Sequence, residues 1–292
     1  MAVRDRGHGR AQDRQAAGGG GLNADEALAA LAERLLARGE PLAVLGIAGA
    51  QGSGKSTLAE RLHARMTARG VACALLSIDD LYRTRAEREA LGALVHPLLR
   101  TRGVPGTHDV MLGMRTVDAL ARGEAVALPR FDKSADDRMP RARWDMAAAG
   151  TRLLVLEGWC VGARAQADAA LTRPVNALEA SEDADGRWRA YVNEALAGEY
   201  RALFDRIDAL AFLAAPDFAV VERWRNEQEE TLRAAGGAGV MSPAQVARFI
   251  RHYERLTRHM LAEMPGRADL TIRLRADRSV AAISPFSSPS GA

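Results

Sequence analysis

The chain has 292 residues, 48% of them hydrophobic, enough to bury a full core as one large α/β domain or two small ones. Its net charge of +3 comes from acids and bases mixed along the sequence, with no block of five like charges, which argues against a nucleic-acid partner and suits an enzyme that handles anions. No apolar run approaches the ~20 residues of a membrane span, no apolar signal region opens the chain, and Asp5 and Asp13 argue against a transit peptide, so no membrane partner and a cytoplasmic location are expected.

Residues 1–21 are polar, end in Gly18-Gly19-Gly20-Gly21, and read as a disordered tail. Asn23, with Glu26 three residues on, has the spacing of a capping box. Leu28, Leu31, Leu35 and Leu36 then give a helix one apolar face, and Gly39-Glu40-Pro41 stops it. Leu42–Ala48 is an apolar run of the kind a buried parallel strand carries. It leads into Gly49-Ala50-Gln51-Gly52-Ser53-Gly54-Lys55-Ser56 and then Thr57-Leu58-Ala59-Glu60-Arg61-Leu62, which reads as helix. Gly-x-x-x-x-Gly-Lys-Ser between strand and helix is the phosphate-binding P-loop. Its glycines admit dihedrals that turn N–H groups toward phosphate oxygens, and the helix that follows offers its positive end. Lys55 is expected on the β- and γ-phosphates, the Ser56 hydroxyl on Mg²⁺ and Thr57 at the α-phosphate.

A second strand, Val71–Ile78, runs into Asp79-Asp80. Transfer of a phosphoryl group to a hydroxyl needs a carboxylate that orients the nucleophile and takes its proton. Asp79 is the first choice for that base; Asp80 is the alternative, as base or as a water-mediated contact to the metal. Between the second and third strands lie Tyr82, Arg102, His108, Asp109, Arg130, Asp132, Lys133 and Arg138, more charge than a core admits. They read as an acceptor-binding insertion over about 82–150, against the plainer reading of a solvated surface segment. Within it, Val110, Met114 and Val117 mark a helix over Asp109–Arg122 that Gly123 ends. The third strand, Leu153–Leu156, ends in Glu157, the position from which P-loop enzymes hold Mg²⁺. A fourth strand, Ala209–Ala214, precedes Pro216-Asp217 and an amphipathic helix, Phe218–Arg233, with Val221 and Trp224 inward. Ser242-Pro243 is a cap and first-turn pair for a long helix through Val246, Phe249, Ile250, Tyr253 and Met260. Leu270–Leu274 is the fifth strand, and the Ser- and Pro-rich residues from 284 read as a second tail. Cys73 and Cys160 read as buried thiols of a reducing compartment rather than as a disulfide.

Alternating strands and helices predict an α/β fold, three-layer α/β/α, with a mainly parallel sheet of about five strands. Ligands of such sheets sit at the carboxyl ends of the strands, where the P-loop, Asp79-Asp80, Glu157 and Asp217 all fall. Domain organisation follows as tails at 1–21 and 284–292 around one kinase domain at 22–283, with a lid at about 217–242. No asparagine is followed by Lys, so the guanine-reading Asn-Lys-x-Asp of a GTPase is missing, and no Leu-Ser-Gly-Gly-Gln of a transporter ATPase occurs. A small-molecule kinase remains, using ATP and Mg²⁺, as a monomer or a homodimer. The cations of the insertion suit a carboxylate acceptor, and its few aromatics, Tyr82, Phe131 and Trp144, disfavour a nucleoside.

Ser77-Ile78-Asp79-Asp80-Leu81-Tyr82 resembles the strand end of the phosphoribulokinase, uridine kinase and pantothenate kinase group. His96-Pro97-Leu98-Leu99-Arg100-Thr101-Arg102-Gly103, Gly106-Thr107-His108-Asp109, Leu128-Pro129-Arg130-Phe131-Asp132-Lys133-Ser134, Glu157-Gly158-Trp159, Trp224-Arg225 and Gly239-Val240-Met241-Ser242 are similar, in that order, to D-glycerate 3-kinases of the plant, yeast and bacterial type. The resemblance runs from about Leu42 to Arg278. It implies transfer from ATP to D-glycerate giving 3-phospho-D-glycerate, with Asp79 as base, Lys55 on the phosphates and Ser56 and Glu157 at Mg²⁺. By the wider group's analogy, Arg223, Arg225 and Arg233 belong to a lid over the phosphates, Arg225 among the nucleotide contacts. One departure is Val240, which stands between Gly239 and Met241 where the family often reads Gly-Met-Ser. A uridine- or pantothenate-kinase-like acceptor, or a nucleotide-switched binding module, are the competing readings.

Overall fold

The computed structural model describes residues 23–234 and 241–285. The predicted tail at 1–21, the tail at 284–292 apart from residues 284–285, and residues 235–240 of the predicted lid lie outside the described residues.

Asn23 caps α1 (Ala24–Leu36) by accepting the N–H groups of Asp25 and Glu26, so the cap forms through Asn23 alone. The chain continues through β1 (Ala43–Gly49), α2 (Lys55–Ala68) and β2 (Cys73–Ser77). Then come α3 (Arg85–Leu94), α4 (Val110–Ala121) and four short strands, β3 (Val126–Leu128), β4 (Phe131–Asp132), β5 (Asp137–Arg138) and β6 (Asp145–Ala147). After β7 (Leu153–Gly158), α5 (Ala177–Glu182) and α6 (Arg187–Ala195), a π-turn over Leu196–Tyr200 leads into α7 (Arg201–Phe204). The remaining elements are β8 (Ala209–Ala214), α8 (Phe218–Ala234), α9 (Pro243–Glu263), β9 (Leu270–Leu274) and β10 (Val280–Pro285).

The main sheet has six strands in the order β10-β9-β8-β1-β7-β2, parallel except where β10 pairs antiparallel with β9. Helices cover both faces, giving the three-layer α/β/α architecture. Every residue of β1, β7 and β8 is buried, which is why their sequences are continuous apolar runs rather than alternating ones. The expected five strands are present; the expected count is corrected by β10. Its residues are at most half-buried, and its apolar run is four residues long, Val280–Ile283, next to the Ser- and Pro-rich stretch. Ser284 and Pro285, expected to begin the tail, instead pair with Thr271 and Leu270. Pro285 is tolerated because β10 is an edge strand, where a missing N–H costs no ladder bond.

Capping residues fix the helix starts that position the site. Asp109 accepts the Leu112 N–H at the start of α4, and Ser242 with Gln245 forms a full capping box at α9. Each such cap stabilises by about 1 kcal/mol. The second strand is shorter than its apolar run: Ser77 accepts the Asp79 N–H and turns the chain into a 3₁₀ turn, Ile78–Leu81. Asp79 and Asp80 therefore stand in a turn just beyond the end of β2, two and three residues past its last paired residue, Ser77. Cys73 is half-buried and Cys160 buried, and both are free. Among the described residues no helix is long and apolar enough to cross a membrane.

Candidate active site

The phosphate loop leaves the carboxyl end of β1 and enters α2 through Gly54, whose φ of 85° only glycine adopts without strain. No side chain caps α2 and no acid stands in its first turn. Its first N–H groups therefore remain for an anion, and the helix dipole favours one. Gly52, at φ 77°, lies so close to α8 that a Cβ there would sit 2.6 Å from the Trp224 Cβ. From the β9–β10 connection, Arg278 donates to the Gly52 carbonyl at 2.8 Å, pairs with Glu227 at 2.7 Å and lies over the Trp224 ring. Trp224 Nε1 in turn donates to the Ala276 carbonyl at 2.7 Å. The loop is thus held from outside its own motif by α8 and the last hairpin. The sequence reading had no local signal for Arg278, which is 226 residues from Gly52.

Strand order brings the chemistry together. Glu157 on β7 pairs in register with Ile47 of β1 on one side and Ser77 of β2 on the other. Ser56 Oγ donates to Glu157 Oε2 at 3.1 Å, and Glu157 is 6% exposed. A hydroxyl and a carboxylate converging in this way are hard oxygen donors, the set that suits Mg²⁺. The side chain of Lys55, the first residue of α2, makes no hydrogen bond or ion pair among the described residues.

The two adjacent acids have different partners. Asp79 Oδ1 accepts from the Tyr82 hydroxyl at 2.9 Å and Oδ2 from Lys133 Nζ at 2.7 Å. Burial works against its ionisation, but the Lys133 ammonium, with Lys55 and His108 beyond it, holds the carboxyl down at about 2. Asp80 Oδ1 accepts the Phe131 N–H at 3.1 Å and Oδ2 meets Arg130 at 3.2 Å. Burial raises its carboxyl above the ordinary value in spite of Arg130. Asp80 thereby fastens β4 to the turn that carries Asp79.

Around them the predicted acceptor residues form a web of ion pairs. Arg130 also binds Asp145 at 2.8 Å, and Arg138 pairs with Asp109 at 3.3 Å and donates to the Tyr82 carbonyl at 3.0 Å. Arg102 and the buried Arg88 both pair with Asp136. Asp132 is not drawn into this web: its Oδ1 accepts the Ser134 and Ala135 N–H groups at the hairpin tip. His108 is wholly buried and stacked on the Tyr82 ring at 4.4 Å. The Tyr200 hydroxyl accepts the backbone N–H groups of Gly106 and His108 and meets His108 Nδ1. Burial pushes the imidazole down to about 3 and the Tyr82 phenol well above its ordinary value, so both are neutral. Arg225 lies on α8 beside Trp224, paired with Glu229 and stacked on Phe249, and Arg233 donates to the Met241 carbonyl at 2.9 Å. Three aromatics escaped the sequence reading as site groups: Tyr200, Trp159, which donates to the Gly103 carbonyl, and Tyr253, which donates to the Arg102 carbonyl. Tyr200 sits in the π-turn, a feature that no residue pattern announces.

A strand–loop–helix phosphate cradle beside Ser56, Glu157 and Asp79, on a three-layer parallel sheet, defines a P-loop kinase. The family model for the methylmalonyl Co-A mutase-associated GTPase MeaB matches residues 22–85, which span α1, the phosphate loop and the Asp79-Asp80 turn. An uncharacterized kinase of Schizosaccharomyces pombe, mug58, is 36% identical over 245 residues, covering 78% of this chain and 84% of that protein. The chloroplastic D-glycerate 3-kinase of Arabidopsis thaliana is 31% identical over 224 residues, 73% of this chain but 46% of the plant protein. The solved structure of D-glycerate 3-kinase from Cryptococcus neoformans superposes with a TM-score of 0.74 at 25% identity, covering 91% of this chain and all of that one. The chain belongs to the same family of P-loop kinases as the Schizosaccharomyces pombe kinase, and it is similar to the D-glycerate 3-kinases of Arabidopsis and Cryptococcus.

Proposed function

We propose that the protein transfers the γ-phosphoryl group of ATP to the 3-hydroxyl of D-glycerate. The observation that carries this reading is the position of Asp79, one strand from the Ser56–Glu157 pair and in contact with a cation, Lys133. The acceptor oxygen forms a bond to Pγ, the bond from Pγ to the bridging oxygen breaks, ADP leaves, and the hydroxyl proton passes to Asp79. Lys55 and the free N–H groups of α2 neutralise charge on the phosphates. Ser56 and Glu157 would hold Mg²⁺, which would supply charge neutralisation at the phosphates. Residues 22–283 act in this reading as one kinase domain, with 82–150 receiving the acceptor and 217–242 closing over the phosphates.

Two further points favour a small acid over a nucleoside. Tyr82 and Phe131 are both buried, packed edge to face at 5.2 Å, and offer no open platform on which a base could stack. The names of the Arabidopsis and Cryptococcus relatives also point to D-glycerate. Phosphorus NMR of the product formed from ATP, Mg²⁺ and D-glycerate tests substrate and regiochemistry together. A 3-phosphate resonance is expected; transfer to uridine or pantothenate, and none to D-glycerate, would sink the proposal.

A further inference from the structure

Lysine is nearly absent from this chain. Of its 40 lysines and arginines, 38 are arginine, and the two lysines are Lys55 and Lys133. Wherever a positive charge alone suffices, this sequence uses arginine. One lysine is in the phosphate loop; the other touches Asp79. An arginine carries a rigid planar fork that settles onto a carboxylate, whereas lysine carries a compact point charge on a mobile four-carbon stem.

The partners of the surrounding cations sharpen the contrast. Arg130 is held by Asp80 and Asp145, Arg138 by Asp109, and Arg88 and Arg102 by Asp136. Each of these acids is structural in the sense that it caps a helix or ties a hairpin. Lys133 has a single side-chain partner among the described residues, Asp79 itself, and it is 61% exposed at the tip of the hairpin that the arginines fasten. With Lys133 on Oδ2 and the Tyr82 hydroxyl on Oδ1, each oxygen of Asp79 already accepts one hydrogen bond, and an incoming hydroxyl must compete with the ammonium for Oδ2.

We propose that Lys133 changes partner during the reaction: without acceptor it covers Asp79 Oδ2, and the carboxylate of a bound hydroxy acid draws it away, so that Oδ2 can receive the hydroxyl proton. This rests on Asp79 being the base of the proposed kinase. One ammonium then performs two tasks in turn. It prevents Asp79 from activating water while ATP waits, and it makes the acceptor's carboxylate the condition for transfer to its hydroxyl. An alcohol without a carboxylate, such as glycerol, leaves Asp79 covered.

The test compares wild type with Lys133→Met and Lys133→Arg, using ATP with D-glycerate, glycerol or no acceptor. Lys133→Met is expected to raise KM for D-glycerate by about 10- to 100-fold, the loss of one charge-assisted hydrogen bond. It should also raise acceptor-independent ATP hydrolysis about tenfold and narrow the preference for D-glycerate over glycerol. The acid limb of its kcat/KM profile should move up by about 1–3 pH units, because burial of Asp79 is no longer opposed by the ammonium. Lys133→Arg keeps the charge and should keep hydrolysis low, while slowing transfer because the fork releases a carboxylate poorly. Wild-type KM and wild-type hydrolysis in Lys133→Met would overturn the proposal, as would a fall in kcat with both of those unchanged. The reading of the acceptor fails separately: if the wild type phosphorylates another hydroxy acid and not D-glycerate, the same comparison is run with that acid.

Discussion

The two sides of the transfer site are built on opposite principles. On the nucleotide side, few polar groups have partners among the described residues: no side chain caps α2, Lys55 has no counter-ion, and Ser56 shares a single bond with Glu157. On the acceptor side, the charges of Arg130, Arg138, Arg102 and Lys133 are already satisfied by Asp80, Asp109, Asp136 and Asp79. A triphosphate brings enough charge to fill an open cradle and repay its own desolvation. A small acid brings one charge, so a site for it works better by exchange of partners than by vacancy. In the proposed reading, the nucleotide side recognises through backbone and dipole, and the acceptor side through competition among side chains.

Four variants or conditions probe that contrast, in falling order of effect. Asp79→Asn should bind ATP as the wild type does and lose about 10²–10⁴-fold in kcat, since it removes the proton acceptor. Equilibrium dialysis with ATP and a coupled ADP assay measure the two halves, and undiminished turnover would remove Asp79 from the chemistry. Lys55→Ala should cost about 10²–10³-fold in kcat, with the acceptor KM little changed, because the lost charge faces the phosphates alone. Asp80→Asn should leave kcat within several-fold but raise the acceptor KM about tenfold, as Arg130 and Phe131 lose a charged anchor; if it instead abolished turnover, Asp80 would be the base. The smallest effect concerns pH. The folded Asp79 titrates at about 2, below the ~3.9 of an unfolded chain, so its contribution to stability is full above about pH 4 and fades as pH falls toward 2. The difference in unfolding midpoint between wild type and Asp79→Asn should shrink across that window.

The same contrast explains what could be read from the residues. The phosphate loop, its strand and its helix occupy one continuous stretch, so local spacing reveals them, and Glu157 announces itself as an acid closing an apolar run. Strand order could not be read: that Glu157 lies between Ile47 and Ser77 depends on pairings between residues far apart in the sequence. In the acceptor region the residue types were legible but their partners were not. Lys133 and Asp79 are 54 positions apart, and Asp132, beside Lys133 in sequence, turns back on its own hairpin instead. Tyr200 was missed because its role comes from a hydroxyl that reaches Gly106 and His108 from a π-turn, with no helical or strand periodicity to mark it. The edge strand β10 was missed because its apolar run, Val280–Ile283, is short and passes straight into Ser284 and Pro285, residues that suggest a tail.

Arg278 sets an order of events in the life of the chain. During synthesis, β1, the phosphate loop and α2 emerge early, yet the carbonyl of Gly52 gains its guanidinium donor only after α8, α9 and β9 have followed. A nascent chain ending near residue 214 carries the whole phosphate motif without the Trp224 wall or the Arg278 clip behind it. Domains generally fold as units during translation. The phosphate loop of this kinase is therefore among the first segments made and among the last to gain all its contacts.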